Sequence, residues 1–208
     1  MSQLILFNKP FRVLSQFSGN DQRTTLADHI RLPDVYPAGR LDYDSEGLLL
    51  LTADGALQAR ISDPRFKLPK VYLVQVEGSP QNADLQPLRD GITLRDGATR
   101  PAGADLVETP DLWPRQPPVR ERKSVPDCWL RITLSEGRNR QVRRMLAAVG
   151  FPVLRLVRWQ IGDWSVAGLA PGEWRSINVH LPVAPAASAR RRPDRARGPQ
   201  PTARRRRR

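Results

Sequence analysis

Three carboxylates stand within five residues in the segment GRLDYDSEGLLLLTADG, which covers residues 39–55. Asp42, Asp44 and Glu46 are followed closely by four leucines at 48–51. Carboxylates in this setting can ligate a cation, share acid and base roles in hydrolysis, or act singly at an electron-poor carbon. The spacing of the three side chains, and the cations within their reach, separate these chemistries.

The spacing of the three carboxylates disfavours cation binding and a hydrolytic acid–base pair. Asp42, Asp44, Glu46 and Gly47 match positions 1, 3, 5 and 6 of an EF-hand loop, but Ala53 stands at the twelfth position, which needs a bidentate glutamate. A hydrolytic pair needs two carboxyl groups that face each other across a bond. Neighbouring side chains in one loop point in different directions, so the segment favours one carboxylate that acts as a nucleophile or electrostatic stabiliser.

A carboxylate in that role needs a cation to hold it ionised, and the segment RNRQVRRMLAAVG at 138–150 offers several. Apolar residues recur there at helical spacing and predict a helix with one buried face: Val142, Met145, Leu146 and Val149. The first two turns of this helix carry four arginines: Arg138, Arg140, Arg143 and Arg144. Cations near a helix N-terminus cost roughly 0.3 to 1 kcal/mol each unless an anion lies there.

We therefore expect these arginines to have different roles. On a helical wheel Arg143 lies at the edge of the apolar face, where it can pair with a buried carboxylate. Arg138 and Arg140 are expected to bind phosphate. The alternative is that all four arginines form a solvated helix face.

Apolar periodicity and turn residues predict the elements that position these side chains. The four leucines before Asp54 predict a strand buried on both faces, and Asp54 is expected to cap a helix over GALQARIS. Alternation predicts further strands at 70–78 and 129–137, and NADLQPLRDG at 82–91 predicts a helix closed by Gly91. This irregular order indicates an α+β fold with a mixed, mostly antiparallel sheet flanked by helices.

The net charge of +13 favours a polyanionic partner such as nucleic acid. The segment 190–208 contains ten Arg and one Asp, so it carries +9 and leaves +4 for residues 1–189. From residue 182 the sequence is rich in Pro, Ala and Arg without apolar periodicity. We predict a catalytic domain at 1–181 and a disordered basic tail at 182–208, which is either a phosphate-binding arm or a dispensable extension.

Several classes of site and location have no support in the sequence. No GxGxxG or P-loop is present, and Cys128 with His29 and His180 does not form a zinc-ligand pattern, so neither a cofactor nor a metal is expected. No apolar run approaches the roughly 20 residues that span a bilayer, and no signal peptide opens the chain. We expect a cytoplasmic protein without membrane contact.

The segment TPDLWPRQPPVRERKSVPD at 109–127 contains five prolines and a basic centre, which predicts a long surface excursion. Its basic residues can contact a polyanion: Arg115, Arg120, Arg122 and Lys123. An ordinary solvated loop is the alternative.

Three of these segments together resemble a known family. GRLDYDSEGLLLLTADG resembles the active-site motif of the RsuA-type family of ribosomal RNA pseudouridine synthases, and KVYLV resembles their tyrosine-bearing strand. EGRNRQVRRMLAAVGFPVLRLVRWQIG resembles their C-terminal basic helix and the strand after it. The resemblance covers residues 4–178, without an N-terminal S4 RNA-binding domain, and implies the pseudouridine synthase fold.

The resemblance also implies a role for each motif residue. Asp42 would be the catalytic aspartate, Tyr72 would stack on the target base, and Arg143 would form an ion pair with Asp42. Arg40 and Arg138 would help to position RNA.

The implied reaction converts a uridine of large-subunit (23S) ribosomal RNA to pseudouridine without a cofactor. The aspartate attacks C1′ or removes a sugar proton to give a glycal, after the base has left its stack. The expected partner is large-subunit ribosomal RNA or an assembly intermediate of that subunit, bound by a monomer. The alternative function is a noncatalytic rRNA-binding factor for ribosome assembly, although such a factor has no chemical need of Asp42, Tyr72 and Arg143 together.

Overall fold

A computed structural model describes residues 1–19, 22–66, 68–119 and 125–180. The strands in these ranges are β1 Ser2–Lys9, β2 Tyr36–Pro37, β3 Glu46–Thr52, β4 Lys70–Glu77, β5 Thr93–Leu94, β6 Gly97–Ala98, β7 Gly103–Val107, β8 Asp127–Leu134, β9 Val153–Ile161, β10 Trp164–Ser165 and β11 Trp174–Val179. The helices are α1 Gly55–Ser62, α2 Gln86–Asp90 and α3 Gln141–Ala148, together with 3-10 turns at Leu26–Asp28, Pro64–Phe66 and Asn82–Leu85.

Most of these strands belong to one mixed sheet, in the order β11-β1-β3-β9-β4-β8-β7, with β2 paired to β3 and β10 paired to β9. Its strand pairs are antiparallel except β3 with β9, which run parallel. The parallel pair has only two matched positions, Glu46 with Val157 and Gly47 with Arg158. We call this junction between β3 and β9 the seam. The predicted α+β class with a mixed, mostly antiparallel sheet is confirmed.

The core explains why β3 is so apolar. Leu48 and Leu50 pack with α1 on one face of the sheet, whereas Leu49 and Leu51 pack with the segment around Leu26 on the other face. All four leucines are fully buried, so the predicted strand buried on both faces is confirmed. On the far side of the seam, a separate apolar cluster joins α3 to β4 and β8.

Some predicted helix boundaries are confirmed and others are wrong. Asp54 caps α1, since its Oδ1 accepts hydrogen bonds from the N–H groups of Ala56 and Leu57 at 2.8 and 3.1 Å. The helix predicted at 82–91 begins as a 3-10 turn and continues as α2, and Gly91 closes it as predicted. The helix predicted from Arg138 begins only at Gln141, because Arg140 has a φ of 47°, and a left-handed residue cannot continue an α-helix.

Several predictions concern residues outside the described ranges. The predicted tail at 182–208 lies there, as do Arg120, Arg122 and Lys123, and these predictions stay untested. Within the described part of the chain, no helix is both long enough and apolar enough to cross a membrane.

Candidate functional site

The loop that carries Asp42 lies at the start of β3, at the seam. The N–H of Ser45 donates to the Asp42 carbonyl at 3.1 Å and closes a turn over residues 42–45. Gly47, the second residue of β3, has a φ of 101°, and a Cβ there would meet the Arg158 backbone oxygen at 2.3 Å. A side chain at this position would therefore separate β3 from β9 exactly where they pair.

Neighbouring segments hold this loop from the β1 side. The backbone N–H of Leu41 donates to Ser15 Oγ at 3.1 Å, and Ser15 Oγ donates back to the Leu41 carbonyl at 2.7 Å. The backbone N–H of Arg12 donates to the Tyr43 carbonyl at 2.8 Å. Asp42 itself is partly exposed, with 32% of its side chain accessible. The carboxylate is thus carried on a fixed backbone and remains reachable.

Arginines approach the loop from the α3 side. Arg140 forms a bidentate pair with Asp44, with both N···O distances at 2.8 Å, and its Nη1 lies 3.8 Å from Asp42 Oδ2. Arg143 donates from Nη2 to the Asp44 carbonyl at 2.6 Å and lies 3.5 Å from Asp44 Oδ2. The expected ion pair of Arg143 with Asp42 is therefore replaced by contacts to Asp44, and Arg140 is the arginine within 4 Å of Asp42.

These contacts fix the charge state of Asp44. Burial raises the pKa of the Asp44 carboxyl, but the hydrogen bonds from Arg140 and the charge of Arg143 outweigh this, and the pKa lies below its usual value. The same carboxylate raises the pKa of Arg140. Asp44 therefore stays anionic and keeps two cations beside Asp42, a role that sequence reasoning did not give it.

The guanidinium of Arg138 contacts the protein. Its Nη1 donates to the Gly97 carbonyl at 3.1 Å and its Nη2 to the Ala98 carbonyl, both in the hairpin formed by β5 and β6. Arg144 holds the same hairpin through a bidentate pair with Asp96 at 2.7 and 3.0 Å. The guanidinium of Arg138 is thus engaged with the protein backbone, and its predicted RNA contact stays untested. The alternative of one solvated arginine face is wrong, since all four arginines have protein partners.

Tyr72 lies in β4, next to the seam. It is buried, with 8% of its surface exposed, and it belongs to the apolar cluster that includes Val142 and Met145 of α3. Its cross-strand neighbour on β9 is Arg158, which is also the partner of Gly47 on β3. The sheet therefore places Tyr72 and the start of the Asp42 strand on either side of one arginine.

Arg158 is a residue that sequence reasoning missed. It is 5% exposed, and it donates from Nε to the Leu48 carbonyl at 2.7 Å and from Nη1 to the Arg40 carbonyl at 3.1 Å. It thereby anchors both ends of the Asp42 loop to β9, while the Arg40 side chain remains exposed. The signal available in the sequence is an arginine inside the apolar run VLRLVRWQI, where only a paired cation is stable.

A second missed group is the buried pair of Glu46 and Arg155. Arg155 donates from Nε and Nη2 to the two Glu46 oxygens, both at 2.9 Å, and from Nη2 to the Trp113 carbonyl at 2.9 Å. The indole N–H of Trp113 donates to Glu46 at 2.9 Å. Glu46 is only 2% exposed, so it is a structural anion that ties the proline-rich segment to the seam.

Lys9 is the third missed group. It is fully buried at the end of β1, and its Nζ donates to the carbonyls of Pro10 and Val13 at 2.8 and 2.9 Å. Burial lowers the pKa of Lys9 to about 7, with Glu46 acting in the opposite direction. The charges of Asp44 and Asp42 also raise the pKa of Lys9, so its ammonium is attracted by all three carboxylates of the segment 42–46.

Comparison with known proteins gives a consistent result along most of the chain. A family model described as RNA pseudouridylate synthase matches residues 3–148. The chain is 63% identical to "Ribosomal large subunit pseudouridine synthase E" of Xanthomonas axonopodis pv. citri over 171 residues, which are 81% of this chain and 90% of that protein. It is 55% identical to the protein of the same name from Vibrio parahaemolyticus, over 85% of this chain and 74% of the relative.

A solved structure described as a pseudouridylate synthase has the same architecture. It superposes with a TM-score of 0.70 at 32% sequence identity, and the match covers 86% of this chain and 71% of the other.

Proposed function

The chain belongs to the RNA pseudouridylate synthase family, and from this premise we propose that it isomerises a specific uridine of large-subunit (23S) ribosomal RNA to pseudouridine. The choice of substrate is supported by relatives named as large-subunit enzymes, which are 55 to 63% identical over most of the chain. The observation that carries the proposal is the reachable Asp42 carboxylate on a loop that α3 and β9 hold rigid with arginines.

Asp42 is the proposed catalytic residue. The bond from C1′ to N1 breaks and N1 leaves with the bonding electrons, while the carboxylate either attacks C1′ or removes a sugar proton to give the glycal. The uracil then turns and C5 bonds to C1′. In the first route the ester bond between Asp42 and C1′ breaks in this step, and in the second route the carboxyl group of Asp42 returns the proton to the sugar. The C5 proton then departs and N1 is protonated. Atoms and charge balance without a redox partner, so the groups required are an anion, a base pocket and cations for the RNA backbone.

The other site residues have supporting roles in this proposal. Tyr72 stacks on the base once the uridine has left its helix, which recovers part of an unstacking cost of a few kcal/mol. Arg143 acts through Asp44, which it holds together with Arg140, and is a positioning residue for Asp42. Arg140 and Arg40 have exposed surface that can meet phosphate, and Arg138 supports the neighbouring hairpin.

We further propose that the enzyme acts as a cytoplasmic monomer, without cofactor or membrane contact, on free ribosomal RNA or on an assembly intermediate of the subunit. The catalytic domain at 1–181 and the basic tail at 182–208 are kept as the proposed organisation of the chain.

The substrate is tested by mapping pseudouridine in the ribosomal RNA of a strain that lacks this gene. Carbodiimide treatment followed by reverse transcription stops at each pseudouridine. We expect one large-subunit stop to disappear in the deletion strain and to return with a plasmid copy of the gene. Disturbed subunit assembly with every pseudouridine still present would instead favour the noncatalytic assembly factor.

A further inference from the structure

A single aromatic ring beside the Asp42 loop carries two guanidinium groups. The Cζ of Arg115 lies 4.3 Å from the centre of the Phe11 ring, and the Cζ of Arg12 lies 5.5 Å from it. Both distances fall within the roughly 6 Å over which a cation is attracted to an aromatic face. We call Phe11, Arg12 and Arg115 the Phe11 clamp.

Among the described residues, neither cation of the clamp forms an ion pair. No carboxylate in these ranges lies within 4 Å of Arg12 or Arg115, whereas Arg140, Arg144 and Arg155 each have at least one. Burial lowers the pKa of Arg115 and the charge of Glu46 raises it, while the charge of Arg12 lowers it, so the two cations of the clamp repel each other. Like charges held together in this way are stabilised by an anion.

The clamp is held in place by carbonyl groups. Arg115 donates to the carbonyls of Pro117 and Pro118, both at 2.9 Å, which fixes its guanidinium without cancelling its charge. Arg12 has a left-handed backbone with a φ of 60°, and its N–H donates to the Tyr43 carbonyl at 2.8 Å. The guanidinium of Arg115, which the carbonyls of Pro117 and Pro118 hold, loses little side-chain freedom when an anion binds.

The clamp also lies next to the proposed catalytic group. The backbone N–H of Arg12 donates a hydrogen bond to the carbonyl of Tyr43, the residue that directly follows Asp42. The charge of Arg115 interacts with the charges of Glu46 and Arg143. A further cation extends this side of the loop, since the Cζ of Arg23 lies 5.6 Å from the Tyr43 ring. Cations therefore contact the Asp42 loop on two sides. They contact Tyr43 from the β1 side, and Asp42 and Asp44 from the α3 side.

We propose that the Phe11 clamp binds a backbone phosphate of the RNA strand next to the target uridine. This inference rests on the proposed function, because the RNA strand is the polyanion that must cross the Asp42 loop. Two guanidinium groups present several donors to the oxygens of one phosphodiester, and guanidinium is the group that matches phosphate geometry best.

Two variants and a matched control test the clamp. Arg12→Asn removes one charge and keeps a residue that tolerates a left-handed backbone, and Arg115→Gln removes the other charge. Arg60→Gln is the control, because Arg60 also lies over a phenylalanine, with its Cζ 5.1 Å from the Phe66 ring, but on α1 beyond the opposite end of β3. Thermal midpoints establish that each variant is folded.

Binding is measured by fluorescence anisotropy with labelled oligouridylate over a series of KCl concentrations. Each clamp variant is expected to reduce the slope of log K against log [KCl] by about 0.7, the value for one phosphate contact on a single strand, whereas Arg60→Gln leaves it unchanged. Activity is followed in parallel as tritium released from 23S RNA whose uridines are tritiated at C5. Each clamp variant is expected to raise KM roughly fivefold with kcat nearly unchanged.

The two readouts separate this proposal from the proposed function. A wild-type protein that releases no tritium from free 23S RNA or from an assembly intermediate of the subunit, with clamp variants that still reduce the salt slope, overturns the function and leaves the clamp standing. An active protein whose Arg12→Asn variant matches Arg60→Gln in both slope and KM overturns the clamp. Absence of oligouridylate binding by the wild-type protein overturns it as well. Loss of folding in Arg115→Gln does not affect this decision, because Arg12→Asn alone decides it.

Discussion

At the residue scale, Lys9 is the group most perturbed by its surroundings. It lies fully buried beside the seam, where two carbonyls accept from its ammonium and Glu46 has the largest opposing effect on its pKa. Burial lowers its pKa from 10.5 to about 7. Its charge therefore depends on pH within the range in which the protein can be handled.

Lys9 predicts a specific pH dependence of stability. Between its folded pKa of about 7 and its unfolded pKa of 10.5, the unfolded chain binds a proton that the folded protein does not. The contribution of Lys9 to the free energy of unfolding therefore rises with pH across this window, by at most about 1.4 kcal/mol per pH unit, and is lost as pH falls toward 7.

Urea unfolding of wild type and Lys9→Met across this window measures the effect. The wild-type free energy of unfolding is expected to increase relative to that of the variant as pH rises, because every other titration is common to both proteins. A difference that stays constant with pH would mean that Lys9 has an ordinary pKa in the fold.

At the element scale, the association of β3 with β9 at the seam depends more on side-chain contacts than on backbone hydrogen bonds. Only two positions pair β3 with β9, and arginines from β9 and α3 add side-chain hydrogen bonds across the seam. Arg155 binds Glu46, Arg158 binds two carbonyls, and Arg143 binds the Asp44 carbonyl. The Asp42 loop is therefore positioned by groups on the other half of the sheet.

A double-mutant cycle across the seam tests this dependence. Arg155→Met leaves Glu46 charged and buried without its partner, and is expected to lower the free energy of unfolding by about 3–5 kcal/mol. Adding Glu46→Leu removes the stranded charge and is expected to recover most of the loss. The measurement is urea unfolding of the wild type, both single variants and the double variant. Additive effects in the cycle would contradict a coupled pair.

The same seam marks the limit of what the sequence predicts. The Asp54 cap and the doubly buried leucines are local signals, and both predictions are confirmed. The partners of Glu46 and Arg158 lie 109 and 110 residues away, so no local pattern identifies them. The prediction that α3 begins at Arg138 is wrong, because helical periodicity does not reveal the left-handed backbone of Arg140. The resemblance of three motifs to a known family identified Asp42 and Tyr72 as candidate site residues. The spacing of residues alone did not identify them.

At the scale of the whole molecule, charge is divided unevenly. Residues 190–208 carry +9 of the net +13, so the body that holds the site is only mildly basic. A phosphate-binding role for the tail would therefore add affinity without adding specificity for the target uridine.

Deletion of residues 182–208 tests the tail. Because the deletion reduces the net charge from +13 to +4, we expect a smaller slope of log K against log [KCl] for 23S RNA, with the thermal midpoint and kcat unchanged. The measurement is filter binding of the full chain and the truncated chain over the same salt series. An unchanged slope would mean that the tail does not engage phosphates.

The most direct measurement of the central claim is tritium release by the Asp42→Asn protein. Formation of the bond from C5 to C1′ expels the C5 hydrogen, so 23S RNA tritiated at C5 of uridine reports each turnover. Asp105→Asn is the matched control, because Asp105 is a partly exposed aspartate paired with an arginine at 3.3 Å on β7, away from the seam. With thermal midpoints equal to wild type, we expect Asp105→Asn to release tritium at the wild-type rate and Asp42→Asn to release none above background. Tritium release by folded Asp42→Asn at the wild-type rate would contradict the assignment of Asp42 as the catalytic residue.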